Sequence, residues 1–578
     1  MTIHDQLNHL IQRGLITPTS DNTYQFHHAL THDVTYSTLL NADRRHLHQK
    51  VAESILNLYP QRLTEMAPTL AHHFAAANNH QQAYHFYRQA ADAAARGYAN
   101  QEAYDYYAHA LGHSQHLPTL TPQERTDLYL AHGRLAELTH QYPHAHQLYT
   151  DLLTFGHKHH PPAIIAATLA LATLATTSTP YHDINHGQTL ATQALSLAET
   201  AHDVAAQAQA LSLLMILARY QTKLNLAQAY GERALTLARQ HQLTQQLAIT
   251  LNDLANVYTS QQKVTQGLQL LTEATTLFRQ QGNIPLLIDN LGNIGFLQYY
   301  IGDYPATAHT VTDILNLSQQ TNNIWGFAYA YWIQCQLLAT LGQFAPAITA
   351  THQALHYSQQ GGITLPQVVL PAELAALYAF LGAYDQAQNQ LTQAEQIATQ
   401  QAPYLLPRIY LQYAYIHLWQ QDYDQLATRL QQLQDINPSL SDPVILQAEY
   451  LYHQNQLDTA HQKLTTFLEN QQYPAHTRLP QLYALLSRIA WAQNQPDQAV
   501  QYITQACHLT RTNQAHRYHW LGTAQHAYIC QQQGQTTAAQ QLQAESKASL
   551  NYCLRHTPQQ YRHSFQRQAH QWLAPYQL

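Results

Sequence analysis

Across 578 residues only 11% are charged and 45% are hydrophobic, so the chain should fold with Gln, Thr, Asn and His carrying its exposed faces. Lys+Arg 27 against Asp+Glu 34 gives a net charge of −7 with no basic run, which argues against a nucleic-acid partner, because neutralising phosphates takes clustered Lys and Arg. Four cysteines, Cys335, Cys507, Cys530 and Cys553, none paired at CxxC spacing, suit reduced thiols in a cytoplasm and exclude a disulfide framework or a zinc ribbon.

In chain order, MTIHDQLNHLIQRGLI carries His, Asp and Arg where a signal peptide needs an unbroken apolar run, so no secretion signal is expected. DQLNHLIQRGLI reads as a short amphipathic helix ended by Gly14. A polar turn from Thr17 to Asn22 follows, and then TYQFHHAL, where Tyr24, Phe26 and His28 alternate as in a strand. Helix, turn and β-wing in that order outline a winged-helix-like remnant over residues 1–45. Residues 46–160 read as N-terminal helical repeats. The uncharged stretch Pro161 to Tyr181 is Ala- and Thr-rich, bounded by Pro, and falls where the repeat pattern expects a buried helix, so no membrane partner is expected.

From there to residue 578 a forty-residue stride governs the chain. Small residues recur at Gly187, Ala227, Gly267, Thr307, Ala347 and Ala387, and a second series tracks them at Ala194, Ala234, Ala274, Ile314, Ala354 and Ala394. With small slips the frame continues through Leu426, Ala460, Ala499 and Ala539, and backwards through Ala145, Ala103 and Ala83. Apolar residues between these anchors repeat at i, i+3, i+4 and i+7, so each unit is two antiparallel helices. Anchors seven apart share one helix face and admit a close partner helix. Gly302, Gly342, Gly382, Asn455 and Asn494 open turns where a positive φ ends the first helix. The capping helices of the stack lie at the C-terminus.

LGQFAPAITATHQAL and LGAYDQAQNQLTQAE resemble the tetratricopeptide repeat, in the long-helix, MalT-like variety, over roughly residues 70 to 550. The resemblance implies an all-α, right-handed superhelical solenoid, because a lone helix pair cannot bury its apolar face. At the N-terminus, Phe26-x-His28-x-Leu30, Asp33-Val34-x-Tyr36, Leu39-Leu40 and Arg45-x-Leu47-His48 are similar to the junction between nucleotide-binding region and repeats in STAND-type signalling ATPases, including those linked to adenylate or guanylate cyclases. No G-x-x-x-x-G-K-[ST] occurs, so the chain looks like the sensor region without the ATPase, whether a stand-alone product or a piece of a split or truncated gene.

Chemistry-bearing patterns are sparse. His28 and His32, HKHH at His157 to His160, and AHH at Ala71 to His73 could be imagined as metal ligands, but among 39 histidines such spacings arise readily, and packed or capping histidines are the better reading. G-x-S-x-G and G-x-G-x-x-G are absent, and the cysteines read as small core residues, so neither enzyme activity nor a cofactor is expected. The remaining surface is the concave wall formed by first helices. Eleven and fifteen residues before the anchors lie Asn252, Asn256, Phe296, Trp332, Gln336 and Tyr415, amides and aromatics suited to an extended peptide or a polar small molecule. The expectation is a cytoplasmic, non-enzymatic sensor or scaffold arm that binds another protein. The alternative is a receptor for a small-molecule inducer.

Overall fold

The computed structural model describes residues 2–20, 23–177, 179–436, 443–469 and 477–577. Asp21 and Asn22 of the polar turn expected near the N-terminus lie outside the described residues. Among the described residues the chain is all-α apart from one small hairpin, and it divides into two compact units, residues 1–167 and 168–578.

In the first unit, the helix Ile3–Gln12 starts in a capping box between Thr2 and Asp5 and ends before Gly14, whose φ of 66° turns the chain into an antiparallel hairpin of Ile16–Ser20 and Thr23–Phe26. The helices Ala29–Thr38 and Asn41–Leu58 follow, joined across their faces by a 2.9 Å hydrogen bond between the Tyr36 hydroxyl and His48 Nε2. From Leu63–Ala76 onward the helices pair as hairpins around Leu70, Phe74, Phe86, Tyr107 and Leu128. The helix Pro161–Thr176 occupies the apolar stretch singled out in the sequence, and no described helix is long and apolar enough to cross a membrane.

The second unit is a tetratricopeptide-like helical-repeat solenoid. Its first helices begin at Val204, Thr244, Ile284, Ile324 and Thr364, and its second helices at Ile184, Leu224, Val264, Tyr304, Phe344 and Tyr384, each series advancing by forty. The anchors explain this packing. Ala194, Ala227, Ala234, Ala274, Thr307, Ile314, Ala347, Ala354, Ala387 and Ala394 are fully buried, and a Cβ on Gly267 would stand 3.0 Å from Thr259 Oγ1 of the preceding helix.

The turns obey a stricter rule than the anchors. Residues 202, 222, 242, 262, 282, 302, 322, 342, 362 and 382 all have positive φ, so a left-handed residue recurs every twenty, in turns within and between repeats alike. At Thr222 the backbone donates from Lys223 to Ala218 and from Thr222 to Arg219, the paired bonds that close a helix C-terminus in the Schellman manner. Asp203, Asn283, Asp303 and Asn323, next in line, cap the following helix with their side chains. After residue 401 a 3₁₀ turn Pro403–Leu405 intervenes, the register slips, and the helices from Leu406–Trp419 to Leu479–Ala492 shorten to 10–14 residues before Pro496–Thr512 returns to 17.

Successive turns of the coil touch. The C-terminal ends of first helices meet elements roughly 180 residues further along. Tyr220 lies 6.1 Å from Tyr404 between ring centres, Thr477 N–H donates to Tyr300 O at 3.4 Å, and Ser564 Oγ donates to Leu381 O at 2.7 Å across 183 residues. One superhelical turn therefore takes between four and five forty-residue repeats. Gly342 and Gly382 sit on this seam, where a Cβ would stand 2.6 Å from Cys553 Sγ and 2.9 Å from Ser564 O, on top of their φ of 78° and 72°.

Candidate partner-binding face

A ladder of side chains runs along the second unit, passed from one first helix to the next. On Thr244–Ser260, Asn252 is 4% exposed and saturated: its Nδ2 donates to Asp289 at 3.0 Å and to Asp253 at 3.2 Å, and its Oδ1 accepts from Asn290 at 3.1 Å and Asn293 at 3.0 Å. Asn256, half-buried one turn on, reaches the Asn252 carbonyl at 3.4 Å. The rungs span 37 to 41 residues because that is the repeat length.

Further along, aromatic rings take over. Phe296 meets Trp332 edge-on at 4.9 Å and Tyr329 at 6.0 Å, and Tyr329 stacks on Trp325 at 4.5 Å. Trp332 is 5% exposed, its ring packed with Ala350, Ala354 and Val369. Its Nε1 donates to Glu373 at 3.1 Å, and Gln336 donates to the other oxygen of the same carboxylate at 2.7 Å. Of the six residues expected on this face, Phe296, Trp332 and Gln336 thus form one cluster and Asn252 with Asn256 another. Tyr415 stands apart, 5.9 Å from Trp419 and packed beside Leu411 and Ala414.

Three carboxylates join these clusters, Asp253 and Asp289 at Asn252 and Glu373 at Trp332 and Gln336, and the sequence reading did not name them. Burial pushes the Glu373 carboxyl up to about 7 against the pull of its Gln336 and Trp332 donors. Burial, then the Asp289 charge, pushes Asp253 up to about 7, and burial raises Asp289 as well despite its bonds from Asn252 and Trp325. Asp253 and Glu373 therefore change protonation near neutral pH. Asp253 and Glu373 each lie fourteen residues before their anchors Gly267 and Ala387, an offset next to the fifteen that placed Asn252 and Trp332, whereas Asp289 lies eighteen before Thr307.

Other reactive groups are not poised for chemistry. All four cysteines are buried, and burial pushes the Cys507 and Cys553 thiols up to about 12, the opposite of an activated nucleophile. Among the described residues no group of three or more His, Cys, Asp or Glu is arranged to hold a metal. His28 is exposed at the N-cap of Ala29–Thr38 but makes no side-chain cap bond; its ring lies edge-on to His27 at 4.5 Å, so the packed or capping role expected for it is not realised. His32 instead pairs with Asp33 at 2.9 Å.

No protein-family model matches the chain, and no curated protein matches it. Solved structures similar to it include a Rap protein complexed with Competence and Sporulation Factor (10% identity, 62% of this chain and 99% of that one, TM-score 0.47). A tetratricopeptide repeat protein from Parabacteroides merdae is similar at 18% identity over 45% of this chain and 91% of that one, TM-score 0.29. Yeast Tom70 is similar at 12% identity over 78% and 96%, TM-score 0.33.

Proposed function

We propose that the chain is a non-enzymatic interaction module that binds a protein segment along the inner face of its second unit. The observation that carries this reading is the cluster of half-buried Phe296, Trp325 and Tyr329 seated on buried Trp332 beside Glu373 and Asp289, where rings and acceptors from three consecutive first helices converge. Rings of this kind supply the anchoring area of peptide interfaces, and the carboxylates supply acceptors for backbone or side-chain N–H groups. The resemblance of the N-terminal segment to the STAND junction supports a place as the sensor or scaffold arm of a signalling system.

The second reading, a small-molecule sensor, is favoured by one observation: the polar groups Asn252, Asn290, Asn293 and Asp289 converge within hydrogen-bond reach of one another beside the aromatic rings, a grouping of few polar groups and rings that suits a compact ligand. Phe296→Ala and Glu373→Gln test both readings. Either change should weaken binding of a selected peptide at least about tenfold if the face is used, since interface anchors each carry about 1.4 kcal/mol or more. Binding unchanged in both variants would exclude this face.

A further inference from the structure

We propose that the C-terminal helix Gln559–Leu573 is a latch: it holds one turn of the second unit's coil against the next, and its release unwinds the coil and opens the inner face. What opening serves rests on the reading of that face given above; the latch itself rests on the seam.

The helices before it dock on their hairpin partners through small anchors. This one inserts large rings between two turns. Phe565 is fully buried, 5.6 Å from Phe344 and 5.7 Å from Phe380 of the earlier turn and 6.3 Å from Trp520 of its own. Trp572 likewise bridges Phe380 at 5.1 Å and Trp419 at 5.9 Å to Trp520 at 6.2 Å. Ser564 donates to Leu381 O, and the Arg517 guanidinium lies 4.6 Å over the Phe380 ring.

The seam is closed at a cost that opening returns. Trp520 Nε1, Arg517 Nε and Gln568 Nε2 are buried there without a hydrogen-bond partner among the described residues, and water would satisfy all three once the turns separate. One backbone bond reports closure directly. Ala345, second residue of the helix Phe344–Gln360, has an N–H that its own helix leaves unpaired, and it donates across the seam to His556 O at 2.7 Å.

The test is hydrogen exchange at the Ala345 amide in the full chain, with small-angle scattering and circular dichroism alongside. The double variant Phe565→Ala, Trp572→Ala should raise Ala345 exchange about tenfold or more and enlarge the radius of gyration while helicity is kept. Gly342→Cys, oxidised to a disulfide with Cys553, should slow the same amide relative to its reduced form. Ala345 exchanging in step with mid-helix amides such as Thr351 in every form, or helicity collapsing with the seam, would overturn the latch. These readings use the free chain, so their failure leaves the binding role intact, and a failed binding role leaves the latch intact.

Discussion

Tyr384 and Gln568 stand 184 residues apart in the chain, yet the Tyr384 hydroxyl donates to Gln568 Oε1 at 2.7 Å. A solenoid whose repeats met only their sequence neighbours would have no such bond. Tyr384→Phe removes it with little change of shape and should lower the stability of the second unit by about 1 kcal/mol. Denaturant titration would give the number, and extra exchange confined to the chain around 384 and 559–573 would give the place.

Thr222 is exposed and β-branched, and holds a φ of 59°. A left-handed backbone costs an L-residue about 1–2 kcal/mol, while glycine pays for it only in unfolded-state entropy. Thr222→Gly should therefore stabilise the chain by about 0.5–1 kcal/mol, seen as a higher denaturation midpoint with an unchanged slope. A lower midpoint would show that the turn is unstrained.

Ala354 is fully buried against Trp332, Cys335, Val369 and Leu370. Ala354→Trp overpacks that interface, at a cost on the order of 1–3 kcal/mol. Loosening should centre on residues 324–400 in hydrogen exchange. Protection lost evenly from end to end would instead mark one cooperative core.

Acid should act unequally on the two units. His132, 1% exposed beside Tyr104 and His144, has no hydrogen-bond partner among the described residues at either ring nitrogen, and burial holds its pKa down to about 4. Below the unfolded value of about 6.5 the unfolded chain takes a proton that the folded one refuses, so stability present at neutral pH is lost as pH falls towards 4, on the order of 3 kcal/mol from this residue. His48, His73, His80, His113 and His140 of the same unit are lowered too. In the second unit burial lowers His182, His417, His453, His516, His519 and His526 as well, but there Asp253 and Glu373, raised to about 7, act oppositely: their buried charge is relieved as pH falls from 7. Between pH 7.5 and pH 5 the first unit should lose more stability than the second in exchange-detected unfolding. The reverse order would contradict these assignments.

The repeat frame was legible because burial enforces it. Every anchor from Ala83 to Ala539 named from spacing alone is buried, since a larger side chain there would force neighbouring helices apart. The twenty-residue turn rule was only half visible: glycine marks Gly302, Gly342 and Gly382, but His202, Thr222, Gln242 and Gln262 take the same conformation with nothing in their type to announce it. Phe296 and Trp332 were named by offset and do pack together. Asp253 and Glu373, both fourteen before their anchors, were one position from the offset used, whereas Asp289, eighteen before Thr307, follows the Asn252 donor of the neighbouring helix and not that phase. The seam lay beyond reach altogether, since it depends on the superhelical pitch, which accumulates over four to five repeats.

The most direct test of the inner face is a peptide selection. A displayed library is selected on the wild-type chain, and the enriched peptides are then measured by calorimetry against wild type, Phe296→Ala and Glu373→Gln, each checked for intact helicity. Enriched peptides whose affinity falls at least about tenfold in both variants are the expected result. Failure to enrich any peptide, or enriched peptides that bind the variants as tightly as wild type, would contradict a partner-binding inner face.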